Sequence, residues 1–265
     1  MIGVGYRGNM KSKKFYYQDE LNDDFAGVSR KKFLIDDKYK YYRGNFFWKI
    51  GEFIVYRIIM KPFAYIYMKC KFHHKVVNKR VLKNTKGCFL YGNHTMMAGD
   101  AFVPNVLLHK KTYIIVHSDN ISVPITRGFI EMCGAIPTPD TLTATKNFRK
   151  IIDKRIAQKS LIMVYPEAHI WPYYTGVRNF ESVSFKYPVE LNVPTFVITN
   201  TFHKKRFSKT PKVITYIDGP FFANKDVSKK AQEVDLRNQV YRVMSDRAKL
   251  SSYSVHTYIK GEKQD

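Results

Sequence analysis

The chain has 265 residues, with 45 Lys or Arg against 22 Asp or Glu, and its formal net charge is +23. Because 45% of the residues are hydrophobic and 25% are charged, it can bury a large core, which excludes fibrous and wholly disordered classes. Three cysteines without CxxC spacing are too few for a disulfide scaffold, so we expect a reducing compartment. The positive charge indicates an anionic partner, either nucleic acid or an anionic membrane surface, although an AT-rich genome would also raise the Lys content.

Residues 1–45 are rich in Lys, Tyr and Asp and lack a sustained hydrophobic period, which predicts a polar N-terminal arm. Residues 3–8 match GxGxxG, but no strand precedes them, so we interpret this match as fortuitous. The first residues are polar and do not predict a secretory signal.

An apolar segment and a basic run follow at residues 46–86. Charged residues interrupt the apolar segment 46–72 too often for a conventional transmembrane helix. Pro62 predicts a break into two short helices, 46–61 and about 63–72. Residues 69–86 then hold seven Lys or Arg and no acidic residue. This pattern favours helices that lie at an anionic membrane surface, and the alternative is a helical hairpin packed on the rest of the protein.

Residues 87–265 alternate short apolar runs with helix-like segments, which predicts an α/β domain with a mainly parallel sheet flanked by helices. The predicted strands are 88–91, 112–116, 161–165, 195–199 and 212–217, and the predicted helices lie near 101–110, 141–158 and 226–250.

Residues suited to acid–base catalysis follow two of these strands. His94 could take a proton while Asp100 holds its other ring nitrogen. A helix would place these two side chains about 240° apart, so the pair needs a loop, and Gly99 would permit the bend. Alternatively, Asp100 only caps a helix beginning at residue 101. Glu167 follows strand 161–165 and could lie near His94, or be a solvated turn residue.

Other catalytic signatures are missing from the sequence, which has no GxSxG elbow, no P-loop and no HExxH motif. We therefore expect no metal, although His94, Asp100, Glu167 and His169 are all possible ligand types. A general base acting on a substrate hydroxyl is favoured over covalent catalysis.

Four ordered segments, GNHTMMAGDAF, GAIPTPD, MVYPEAHIW and NVPTFVIT, resemble the 1-acyl-glycerol-3-phosphate acyltransferase family of membrane glycerolipid acyltransferases. The resemblance covers about residues 46–220. It implies that His94 is the base and Asp100 its partner, and we expect Asn93, Thr95 and Glu167 to contact substrate. It also implies transfer of an acyl group from an acyl-carrier-protein or coenzyme A thioester, without a cofactor, to a lysophospholipid-type acceptor such as 1-acyl-glycerol-3-phosphate in phospholipid biosynthesis.

The chain departs from the family pattern where the acceptor phosphate would bind. Five residues rather than four separate His94 from Asp100, and the arginines usual in the second and third segments are absent. Arg178 is the replacement cation that we expect first, and Lys186 the second, with Arg127 also possible.

Together these features divide the chain into the arm 1–45, a membrane-associating segment 46–86 and an acyltransferase domain 87–265. We expect a peripheral or monotopic protein on the cytoplasmic side of the cell membrane, with membrane lipids and the thioester donor as partners. The alternatives are a non-catalytic lipid-binding relative and a basic nucleic-acid-binding protein. Nucleic acid is disfavoured because the aromatic residues cluster in one apolar segment rather than alternating with basic residues on strands.

Overall fold

Among residues 11–27 and 33–261, which this computed structural model describes, seven strands form a central sheet in the order β2-β8-β7-β3-β6-β4-β5. All neighbours are parallel except the pair β7–β8. The predicted α/β fold with a mainly parallel sheet is therefore confirmed. The strands within the described residues are β1 (Lys14–Tyr17), β2 (Lys75–Val77), β3 (Cys88–Gly92), β4 (Thr112–Val116), β5 (Ala135–Pro137), β6 (Leu161–Val164), β7 (Thr195–Lys205), β8 (Ser208–Phe221) and β9 (Thr257–Lys260).

Helices cover both faces of this sheet. Alternate residues of β3 explain why, since Phe89 and Tyr91 join one buried apolar cluster while Cys88 and Leu90 join the other. The sequence did not predict the helices 124–132 and 186–191, which are short. The helices are α1 (Phe46–Phe53), α2 (Lys61–Phe72), α3 (Met97–Leu107), α4 (Pro124–Met132), α5 (Leu142–Ala157), α6 (Lys186–Leu191) and α7 (Lys229–Ala248).

The helical segment 46–72 is continuous, so the predicted break at Pro62 is wrong. A π-helical stretch, Ile54–Met60, links α1 to α2, and the Lys61 N–H donates to Tyr56 O five residues back. Pro62 therefore lies in the first turn of α2, directly after the π-helical stretch, and the helix continues through it. No helix in the described part of the chain combines the length and apolar character needed to cross a bilayer.

One face of this helical segment is buried and another is exposed. The buried residues recur every fourth position and pack on α3 and the sheet: Tyr56, Met60, Ala64, Met68 and Phe72. We call the opposite side the exposed apolar face, and its members are Phe46, Phe47, Ile50, Phe53, Ile54, Ile58, Ile59, Phe63, Tyr65 and Ile66. The segment is therefore packed on the domain, although as one continuous helical run and not as the hairpin of the alternative interpretation, and it still presents a large apolar surface.

Two regions that the sequence places outside the α/β domain contribute strands. Residues 75–77 of the basic run form β2 at one edge of the sheet. In the predicted arm, β1 pairs in parallel with β9, and Ile35 is fully buried. The described arm is thus packed against the domain. Its hydrophobic pattern escapes sequence analysis because a strand of four residues is too short to show a period. The GxGxxG match at 3–8 lies outside the described residues.

Candidate active site

A short loop joins β3 to α3 and carries His94. The His94 Nδ1 atom lies 2.8 Å from Asp100 Oδ2. The His94 side chain is 16% exposed, whereas that of Asp100 is only 3% exposed. His94 Nε2 has no hydrogen-bond partner among the residues that the structure describes, so it is free to accept a proton from a bound substrate.

The loop, rather than Gly99, brings the two side chains together. Helix α3 begins at Met97, so Gly99 lies within its first turn, and the predicted bend at Gly99 is wrong. A Cβ atom at Gly99 would lie 2.6 Å from Met96 Cε, so close packing explains the glycine. Asp100 Oδ2 also accepts the Met96 N–H at 2.8 Å. One carboxylate oxygen thus orients the imidazole and stabilises the start of the helix.

Tyr165, at the end of β6, completes the surroundings of this pair. Its ring stacks on His94 with a centroid distance of 4.5 Å. Its hydroxyl donates to Asp100 O at 2.5 Å. Burial raises the pKa of Asp100, while the hydrogen bond and charge of His94 oppose that rise. Sequence analysis missed Tyr165, although its position just before Pro166-Glu167 at a strand end was a usable indication.

Glu167 lies beside His94, but it contacts the backbone and not the ring. Its Oε1 atom accepts the His94 N–H at 3.2 Å, and its Oε2 atom accepts Arg178 Nε at 3.1 Å. Both members of this ion pair are completely buried. Burial raises the pKa of Glu167, and the charge of Arg178 opposes the rise. Glu167 is therefore not a solvated turn residue, and it positions the loop that carries His94.

Arg178, the replacement cation that we expected first at the acceptor phosphate, is completely buried in an ion pair with Glu167. Its guanidinium also donates to Glu167 O at 3.2 Å, to Glu20 O at 3.3 Å and to His169 O, and it lies over the Trp171 ring. The sequence could not show this, because the loop between Glu167 and Arg178 folds back on itself.

The other two candidate cations also lie elsewhere. Lys186 begins α6 and lies over the Tyr187 ring, without a hydrogen bond to His94 or Asp100 in the described structure. Arg127 stacks on Phe33 at 3.8 Å. The acceptor-binding cation therefore stays unassigned.

Asn93 and Thr95, the neighbours of His94 in the loop, are buried and fix the loop to the rest of the domain. The Asn93 side chain makes two hydrogen bonds to the backbone of Asn200 in β7, of 3.0 and 2.8 Å. Thr95 O accepts the Tyr173 N–H at 2.7 Å. These contacts differ from the substrate contacts that we expected, since both side chains are nearly inaccessible.

A buried hydrogen-bond chain extends from Asn200 to the end of α2. Thr215 Oγ1 donates to Asn200 Oδ1 at 2.7 Å and lies 2.7 Å from His74 Nε2. Burial lowers the pKa of His74 to about 4. No sequence motif marks these residues, because they come from β7, β8 and the basic run.

Trp171 holds the loop from the opposite side. Its N–H donates to His94 O at 3.2 Å. Its ring stacks on Tyr258 of β9 at 4.8 Å and contacts Tyr17 of β1 at 4.7 Å. Its Nε1 atom donates to Asp23 O at 2.8 Å. The β1–β9 pair is therefore part of the support of the site.

His169 faces Asp24, and no group of three or more His, Cys, Asp or Glu within the described residues could hold a metal ion.

Comparison with known proteins agrees with this geometry. The acyltransferase family model matches residues 73–199, a segment that contains His94, Asp100, Glu167 and Arg178. The crystal structure of the 1-acyl-sn-glycerophosphate (LPA) acyltransferase PlsC from Thermotoga maritima has a similar fold, with a TM-score of 0.54 and 14% identity, and the match covers 77% of this chain and 83% of that one. No curated protein sequence matches significantly. The chain therefore carries an acyltransferase domain over residues 73–199 and is an acyltransferase enzyme.

Proposed function

We propose that the protein transfers a fatty acyl group from an acyl-carrier-protein or coenzyme A thioester to a hydroxyl of a lysophospholipid-type acceptor, such as 1-acyl-glycerol-3-phosphate, in phospholipid biosynthesis. The observation that carries this proposal is the hydrogen bond of 2.8 Å between His94 Nδ1 and Asp100 Oδ2. It leaves His94 Nε2 without a partner among the described residues. The family match and the PlsC-like fold support it.

The reaction follows from the position of each group. His94 Nε2 removes the proton of the acceptor hydroxyl as its oxygen attacks the thioester carbonyl carbon. Asp100 holds the Nδ1 proton and stabilises the imidazolium that forms. The tetrahedral intermediate then expels the thiolate, which takes the proton from His94. The products are an ester and a free thiol, and no covalent enzyme intermediate is needed.

The surface of the helical segment supports a membrane-bound acceptor. The exposed apolar face presents ten large side chains that are exposed to solvent, and the basic run 69–86 begins in the last turn of the same helical segment. Such a combination stabilises helices at an anionic interface, where apolar burial and headgroup attraction add. We therefore place the enzyme on the cytoplasmic side of the cell membrane as a peripheral or monotopic protein.

The test is a product analysis by mass spectrometry. Purified protein is incubated with mixed lysophospholipids and with either acyl-coenzyme A or acyl-carrier protein. We expect a diacyl product, and His94→Ala should lower its rate about 10²–10⁴-fold, the usual scale for removal of a general base. His117→Ala is a matched control, because His117 pairs with Asp119 at 3.4 Å but is 66% exposed.

Two results would contradict the proposal. Normal turnover by a folded His94→Ala protein would show that His94 is not the general base. Lipid binding without any product, with every donor and acceptor supplied, would instead indicate a non-catalytic relative that keeps the fold.

A further inference from the structure

The hairpin that joins β7 to β8 has an unusual tip. The strands pair as far as Lys205 and Ser208, so Arg206 and Phe207 form a two-residue turn. We call residues 204–209 the basic tip, because four of its six residues are Lys or Arg and none is acidic. All of them except Lys205 are exposed.

Phe207 is 89% exposed at this turn. Two-residue hairpin turns favour Asn and Gly because they accept positive φ, yet neither Arg206 nor Phe207 has a positive φ here. The turn itself therefore gives no reason for an aromatic residue. The Phe207 ring makes one aromatic or cation contact among the described residues, with the Arg206 guanidinium at 5.1 Å. Phe207 thus presents a large apolar side chain to water at the end of a hairpin, among exposed cations, and this combination indicates a surface that it contacts.

The basic tip lies beside the end of α2. Lys205 Nζ donates to Lys71 O at 2.7 Å, so the hairpin is joined to the last turn of that helix. The neighbouring Lys69 is exposed. The cations of the hairpin therefore continue the basic end of the segment that carries the exposed apolar face.

We propose that the basic tip is a second membrane-contacting element, in which Phe207 enters the interface of an anionic bilayer and the surrounding cations contact phospholipid headgroups. This inference rests on the proposed membrane-bound acceptor. An aromatic residue flanked by Lys and Arg suits the boundary between acyl chains and headgroups. The bilayer is favoured over an acidic protein because Phe207 projects from a turn, and the adjoining helical segment exposes ten more apolar side chains.

The first experiment compares vesicle binding of full-length variants. Vesicles of phosphatidylcholine and phosphatidylglycerol in equal parts are sedimented with wild type, Phe207→Ser and Leu142→Ser. Leu142 is a matched control, because it is 87% exposed and begins α5, which follows β5 at the opposite edge of the sheet. We expect about tenfold weaker binding for Phe207→Ser and unchanged binding for Leu142→Ser.

The second experiment detects insertion directly. Tryptophan is introduced as Phe207→Trp or Leu142→Trp, and its fluorescence is recorded on vesicles containing brominated phospholipids. We expect quenching of the Phe207→Trp protein beyond that of wild type, and none beyond wild type for Leu142→Trp. An unquenched Phe207→Trp protein that still binds the vesicles would overturn the inference.

The outcomes separate this inference from the proposed function. If acyl transfer and vesicle binding are normal while Phe207→Ser and Phe207→Trp behave like their controls, the basic tip is not a membrane contact, and the enzyme assignment stands. If Phe207→Ser leaves vesicle binding intact but raises the KM for acyl-carrier protein, the tip docks that acidic partner instead, and the inference is wrong. Protein that does not bind vesicles at all overturns the membrane placement of both elements, while acyl transfer to a water-soluble short-chain acceptor still tests the enzyme.

Discussion

Glu167 connects the backbone N–H of His94, at 3.2 Å, to the buried guanidinium of Arg178, at 3.1 Å. Glu167, which the family resemblance places at the acceptor site, thus contacts the backbone of the loop that carries His94. A fully buried carboxylate is stable only with a cation and hydrogen bonds around it, and Arg178 supplies both.

Removal of Arg178 should therefore affect stability before it affects substrate affinity. Arg178→Met leaves the Glu167 carboxylate buried without a cation, and we expect a loss of about 3–5 kcal/mol in the free energy of unfolding. Urea denaturation measures this loss. Arg127→Met is the control, because Arg127 stacks on Phe33 and is no part of the buried pair. A fully stable Arg178→Met protein with only a raised KM for the acceptor would restore the phosphate-binding role that the sequence suggested.

Asp100→Asn should slow acyl transfer by about 10²-fold or more, because an amide in place of the carboxylate favours the wrong tautomer of His94. The rate is measured with saturating donor and acceptor, so that the effect appears in kcat. Asp119→Asn changes the exposed His117 pair in the same way and should leave kcat unchanged. Equal rates for wild type and Asp100→Asn would show that the imidazole is oriented by other groups.

The buried His74 should make the fold less stable in mild acid. Its pKa is lowered from 6.5 to about 4, so between these values the unfolded chain binds a proton that the folded protein does not. The stabilising contribution is therefore complete above pH 6.5, falls as the pH decreases towards 4, and amounts to about 3 kcal/mol. Denaturation midpoints of wild type and His74→Gln, measured across this range, test the sign. The His74→Gln curve should be flatter, and identical slopes would contradict the prediction.

Much of the fold was predictable because its central strands are buried on both faces and therefore appear as continuous apolar runs, such as 88–91 and 161–164. The contact between His94 and Asp100 was predictable from sequence, since both residues follow one such strand. The residues that hold the loop carrying His94 were not predictable. Asn200 and Trp171 contact the loop that carries His94, and Thr215 contacts Asn200. These residues are far apart in sequence, and nothing in their local sequence marks them. The errors at Pro62 and Gly99 arose because local rules ignore a π-helical turn and a helix that begins earlier than expected.

Loss of the aromatic packing on Trp171 should disturb catalysis from a distance. Tyr258→Ser removes the ring stacked on Trp171 at 4.8 Å and the hydroxyl that donates to Pro172 O at 2.8 Å. We expect about 3 kcal/mol lower stability and a reduced kcat, because Trp171 N–H holds His94 O. Tyr253→Ser is the control, since its ring makes no aromatic contact among the described residues. A normal kcat in Tyr258→Ser would show that the aromatic packing on Trp171 does not affect the position of His94.

Salt should weaken membrane binding without abolishing it. At 1 M salt the Debye length falls to about 3 Å, which screens the basic run but leaves the burial of the exposed apolar face intact. Sedimentation with anionic vesicles across a salt series, followed by detergent, measures both contributions. Complete release by salt alone would mean that the exposed apolar face does not enter the bilayer.

The pairing of β1 with β9 also constrains the order in which the protein can assemble. It joins Lys14 to Thr257, two positions 243 residues apart, so it is among the most non-local contacts of the chain. On the ribosome, residues 14–17 emerge early and have no strand to pair with until residues 257–260 follow. Only then can the rings of Tyr17 and Tyr258 both pack on Trp171. We therefore expect nascent chains to lack this part of the support of the site until residues 257–260 have been synthesised.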